Sequence, residues 1–277
     1  WDECLAAIEV HFEVDTTHTR YHRLKIDILV IQERYSEALA SLDKFVAREG
    51  EDPEVHFQRG RLLSQLDQHE AAVSSYLRCA ELNPAYPDII PIIIETLVSN
   101  NQLARAQRMM AEYESRAEHT AAYFGAWGFL RLREERYREA VALLERSIAM
   151  IATPTRYYQL VLAHLGSGDV ASARKALGLS LQLDKEDVAN HLSKCTILSF
   201  EKKFEEALEA CNAFINAGKR SSQFYLARNW KATLLCELGR HEEAMSVLLQ
   251  LKEELGMQED LENLILECQA QIEKKAR

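Results

Sequence analysis

The chain has 277 residues, a formal net charge of −10 and only 10 Gly and 5 Pro. The acidic balance argues against a general phosphate-binding role, because nucleic-acid affinity rests on cationic contacts to the backbone. No apolar run approaches the ~20 residues of a membrane-spanning helix, and PDIIPIII (87–94) is followed at once by Glu95.

The opening WDECLAAIEVHF matches the later YSEALASLDKFV almost class for class. Residues 1–18 are therefore expected to hold the second helix of a repeat whose first helix is absent. The chain reads as a fragment or processed product of a longer one. From there a period takes over. Ala38, Ala72, Ala106 and Ala140 close the phrases YSEA, HEAA, LARA and YREA at a constant spacing of 34 residues. Further copies are VASA (170–173), FEEA (204–207) and HEEA (241–244). A fixed period of this length marks a helical repeat array, in which stacked neighbours replace a single growing core.

Seven repeats are expected over 19–258, starting near residues 19, 53, 87, 121, 154, 188 and 225. Each reads as helix, short turn, helix, with apolar residues at three- and four-residue spacing. In the second repeat Leu62, Leu63 and Leu66 stripe one helix; Ala72, Val73, Tyr76 and Ala80 stripe the other, and Asn83-Pro84 stops it. The fifth repeat comes one residue early, where Thr153-Pro154 caps and starts a helix. The seventh comes three late, after NAGKRSSQ (216–223), with Gly218 as a stop and Ser221 or Ser222 as the next cap. Residues 259–277 carry the stripe Leu261, Leu264, Ile265, Cys268 and Ile272, which fits a capping helix with a wet outer face.

The alanine sits where the two helices of a hairpin cross closely, so a bulky side chain there would push them apart. The eighth position of each repeat is often small for the same reason: Gly60, Gly128, Cys195 and Ala232. Leu42, Tyr76, Met110, Leu144, Leu177 and Leu248 fill the space between successive repeats.

This pattern resembles the tetratricopeptide repeat family over nearly the whole length, best in Gly60, Ala72, Tyr76 and AELNP (80–84). WG (127–128) and YREAVALLERSI (137–148) add to it. Ile26, Ile94 and Val161 depart from the small residue usual at the eighth position. The resemblance implies an all-α, right-handed α-solenoid, one array over 1–277, with first helices lining a concave groove. It also implies a protein partner held in that groove as a peptide or amphipathic helix. Carrying the family's groove positions onto this sequence gives a mixed polar stretch in repeats one to three: Arg20, Arg23, Asp27, Gln58, Arg61, Gln65, Asp88 and Glu95. In repeats four to seven it gives a largely apolar and aromatic one. Its expected partner-binding residues are Phe129, Leu132, Tyr158, Gln159, Leu162, Leu192, Thr196, Asn229 and Trp230. The family's carboxylate clamp does not fit, because Asp27 and Asp88 would repel the carboxylate.

No catalytic, cofactor-binding or metal-binding constellation emerges. His18 and His22 lack further ligands at a recognisable spacing, His69 and His241 read as packing residues, and Ser167 in LGSGD (165–169) reads as part of a repeat turn. No P-loop, GxSxG or dinucleotide pattern occurs. Six Cys without a CxxC read as reduced, packed thiols, which favours an intracellular, cytoplasmic location. The function expected is a non-catalytic adaptor. The alternatives are a structural subunit contacted through outer faces and ends, or the targeting region of a larger enzyme.

Overall fold

The computed structural model describes residues 2–5, 19–66, 68–114, 118–217, 222–255 and 259–276. Residues 2–5 are helical. Helices α1 to α6 then run over Thr19–Ile31, Tyr35–Glu49, Pro53–Gln65, His69–Leu82, Ile89–Ser99 and Leu103–Glu114. Helices α7 to α12 run over Ala121–Arg133, Tyr137–Met150, Pro154–Gly166, Val170–Leu183, Ala189–Phe200 and Phe204–Asn216. Helices α13 to α15 cover Ser222–Glu237, His241–Leu255 and Glu259–Ala276. No strand occurs among the described residues, and none of their helices is long and apolar enough to cross a membrane.

The chain divides into two compact units, Trp1–Ala117 and Glu118–Arg277. Within the first, α1 pairs with α2, α3 with α4 and α5 with α6, and each first helix also packs on the second helix before it. Leu5 joins Ile26, Ile28, Leu29 and Leu42 in one buried cluster, so residues 2–5 pack on the first hairpin as a preceding second helix would. In the second unit the hairpins are α7–α8, α9–α10, α11–α12 and α13–α14; α9 also touches α7 and α11, and α15 lies on α14 and α13.

The alanine period has a direct physical correlate. Ala38, Ala72, Ala106, Ala140, Ala173, Ala207 and Ala244 are all 0% exposed, as seven repeated closest approaches require. A Cβ added at Gly60 would sit 2.5 Å from Cε1 of Tyr76, and one at Gly128 would sit 2.8 Å from Cγ of Leu144. Ile26, Ile94 and Val161, the larger residues at the eighth position, are buried as well, so those hairpins accommodate a branched side chain at the crossing.

The turns repeat too. Glu33, Asn101, Glu135, Gly168, Lys202 and Gly239 all have positive φ, between 55° and 81°. Each lies two residues before a second helix. In the last repeat the Gly239 N–H donates to the Cys236 carbonyl (2.9 Å) and the Arg240 N–H to the Leu235 carbonyl (2.8 Å). The same pair of bonds recurs at the other five, closing the first helix with a left-handed residue that satisfies its last carbonyls. First helices start on side-chain caps: Asp52 accepts from the Glu54 N–H (2.8 Å), Thr120 from Tyr123 (3.2 Å) and Thr153 from Arg156 (3.2 Å). The Thr153-Pro154 start expected for repeat five is therefore present. Gly218, Ser221 and His18 lie outside the described residues.

Two glycines of one hairpin test these backbone assignments with the same substitution. Gly168 has φ +81° and Gly178 is inside α10, and neither has an atom within 4 Å of an added Cβ. Gly178→Ala is expected to stabilise the fold by about 0.5–1 kcal/mol through lost chain entropy. Gly168→Ala is expected to destabilise it by about 1–2 kcal/mol through left-handed strain. Urea unfolding midpoints at constant slope check both signs. Leu144→Ala, at a site 0% exposed, is expected to cost about 2–5 kcal/mol in the same assay.

Candidate functional site

The nine residues expected to face a partner all fall on first helices of the second unit. Phe129 and Leu132 are on α7, Tyr158, Gln159 and Leu162 on α9, Leu192 and Thr196 on α11, and Asn229 and Trp230 on α13. Packing brings them together in two groups. Leu132 is buried with Phe129 and Leu162 packed beside it, and Leu192 is buried in the cluster that receives Tyr158 and Trp230. Helix α9 contributes to both.

Burial sorts the set. Leu132, Gln159, Leu192 and Thr196 are 3–9% exposed and sit beneath the surface. Phe129, Tyr158, Leu162, Asn229 and Trp230 are half-buried. Phe200, at the C-terminal end of α11, is 52% exposed. The reason lies in the helix period: a first helix must pack on two second helices and on neighbouring first helices, so only a narrow stripe stays open.

The buried polar members are held. Gln159 accepts from Nη1 of Arg156 at 2.9 Å, and the Thr196 hydroxyl donates to the Leu192 carbonyl at 2.7 Å. Tyr158 is hydrogen-bonded to Thr196, linking α9 to α11, and burial pushes its phenol up to about 12. Asn229 differs, since its Oδ1 is buried and has no hydrogen-bond partner. A buried unsatisfied acceptor is uncommon and calls for a reason.

Two further features escape the sequence pattern. A cleft of about 580 Å³ is lined by residues of α10, α11 and the start of α12, and by none of the nine. Its lining includes Leu177, Leu181 and Ile197, the basic Arg174, Lys185, Lys194 and Lys203, and the acidic Glu186 and Glu206. Arg174 and Lys203 both pair with Glu201, at 2.5 and 3.1 Å. Second, Cys236, His241 and Cys268 place one ligand-type atom each within 4.8 Å of one another. Burial, with Cys268 alongside, raises the Cys236 thiol above its ordinary value. Cys236 and His241 flank one turn, whereas Cys268 arrives from another helix and no linear motif announces it.

Residues 53–86 match the sequence model of the tetratricopeptide repeat family. A crystal structure of a tetratricopeptide repeat protein from Parabacteroides merdae is similar with a TM-score of 0.66 at 13% identity, over 80% of this chain and 89% of that one. One segment, residues 53–86, is thus a tetratricopeptide repeat by sequence, and the fold is similar to that of a solved tetratricopeptide-repeat protein. A second similar structure, of the APC/C hetero-tetramer Cut9–Hcn1, gives a TM-score of 0.64 at 13% identity. It is matched over 95% of this chain but only 52% of its own, so this chain spans about half its length. At these identities the likeness is one of fold. No curated protein matches the sequence.

The burial of the Tyr158 phenol has a pH signature. A phenol that ionises near 10 when unfolded and about 12 when folded favours the native state fully below pH 10. That contribution is lost as pH rises through the folded value. Wild type is expected to lose stability between about pH 10 and 12 more steeply than Tyr158→Phe. The variant is expected to be less stable near pH 8 by about 1 kcal/mol, the worth of one hydrogen bond. Urea titrations across that range read both.

Proposed function

We propose that the protein is a non-catalytic scaffold that holds a helix or extended segment of a partner protein along the first helices of residues 118–277. The observation that carries this reading is the exposed remainder of the apolar stripe. Phe129, Tyr158, Leu162 and Trp230 keep part of their surface open on the first, second and fourth hairpins of the unit, and Phe200, on the third, stands 52% exposed. Apolar side chains left partly open along neighbouring helices are the raw material of an interaction site. Aromatic side chains supply contact area at low entropic cost and anchor such interfaces. Leu132, Leu192, Gln159 and Thr196 support the stripe from below and set its shape.

A second reading, a structural subunit contacted on its outer face, draws on the cleft beside α10. Leu181, 41% exposed, lines it together with Lys185 and Lys194. An acidic or amphipathic helix would suit that chemistry. The similar Cut9–Hcn1 structure is a hetero-tetramer, which accords with either reading.

Affinity capture from source lysate with mass spectrometry separates them. The first variant is Trp230→Glu with Leu162→Glu; the second is Leu181→Glu with Lys194→Glu. Circular dichroism confirms that each keeps its helices. The scaffold reading expects the first variant to lose the partner by at least about tenfold and the second to keep it. The reverse pattern transfers the interface to the cleft.

A further inference from the structure

We propose that Cys236, His241 and Cys268 form a zinc-binding site that fastens the C-terminal helix to the last hairpin. The three ligands come from three helices. Cys236 is in the last turn of α13, His241 is the first residue of α14 and Cys268 is midway along α15. The Gly239 turn joins the first two, so their separation is fixed by a left-handed residue and two backbone bonds.

The geometry suits the ion. Tetrahedral zinc holds thiolate sulfur at about 2.3 Å and imidazole nitrogen at about 2.0–2.1 Å, which places donors roughly 3.5–3.8 Å apart. The three donor atoms already lie within 4.8 Å of one another, so side-chain rotation over about 1 Å closes the set. The chemistry suits it as well. Two sulfurs and an imidazole select a borderline-soft ion over magnesium or calcium. A second observation is independent of the clustering: Nδ1 of His241 is buried and has no hydrogen-bond partner. Either ring nitrogen can serve. Ligation through Nδ1 satisfies that orphan atom directly. Three protein ligands leave a fourth position for water.

The location explains the use. Helix α15 lies on α14 and α13, attached through Leu261, Cys268 and the partly buried Leu264 and Ile265. A metal bound across α13, α14 and α15 ties all three together, and its binding energy adds to folding energy. This inference is independent of what the open stripe of the second unit binds.

The test uses the whole chain, reduced and stripped of metal with a chelator, with cobalt(II) as the optical probe and zinc as competitor. The expected result is one cobalt per chain with a thiolate charge-transfer band, displaced by one zinc. Cys236→Ser, His241→Gln and Cys268→Ser are each expected to weaken zinc binding by about 100-fold or more, and Cys4→Ser to leave it unchanged. In the unaltered chain zinc is expected to protect Cys236 and Cys268 from alkylation and not Cys4, a reading that does not depend on any variant folding. The proposal is overturned if no thiolate band appears, if the band survives loss of Cys236 or Cys268, or if zinc protects neither cysteine. A Cys236–Cys268 disulfide in chain isolated with its thiols kept reduced would overturn it equally.

Discussion

Everything in this fold depends on how closely two helices of a hairpin can cross. Seven alanines, one per hairpin, are fully buried at that point. Their size sets the interaxial distance, which in turn sets how deeply Tyr76, Leu144 and Leu248 reach between repeats. Those three side chains are at most 3% exposed. A larger residue at the alanine would separate the helices and open the space these side chains fill. One small residue per repeat thus governs both the hairpin and its stacking on the next.

The turn is the second constraint, and it is made by backbone rather than by residue type. Gly168 and Gly239 take the left-handed conformation without penalty, yet Glu33, Asn101, Glu135 and Lys202 take it as well. The two closing hydrogen bonds and the packing of the following helix offset the strain of a side chain there. This explains why the turn position is so variable in sequence while its geometry is constant. It also fixes the register of each second helix, whose first residues are Tyr35, His69, Leu103, Tyr137, Val170, Phe204 and His241.

The first helices of the second unit serve two ends with one surface. Leu132 and Leu192 are consumed by packing, whereas Phe129, Leu162 and Trp230 are consumed only in part. Polar groups follow the same division: Gln159 and Thr196 find partners inside, and Asn229 leaves one acceptor unmatched. At the contact of α15 with the hairpin before it the balance differs again. Helix α15 lies on α14 and α13, and there two thiols and an imidazole gather.

The sequence by itself determined the helical class, the period, the crossing alanines, the Thr153-Pro154 start and the C-terminal helix. Each of these rests on local spacing or on a residue whose size alone matters, and a period repeated seven times makes such signals additive. The candidate stripe was legible only as a set of helix positions. Which of its members stay open was decided by the tertiary structure, because exposure depends on how many neighbouring helices share each face, and Leu132 and Phe129 differ in that though they sit three residues apart. The cleft beside α10 and the Cys236–His241–Cys268 group were not legible at all. Both are assembled from residues of successive helices, and the distance between residues on different helices is set by packing rather than by spacing along the chain.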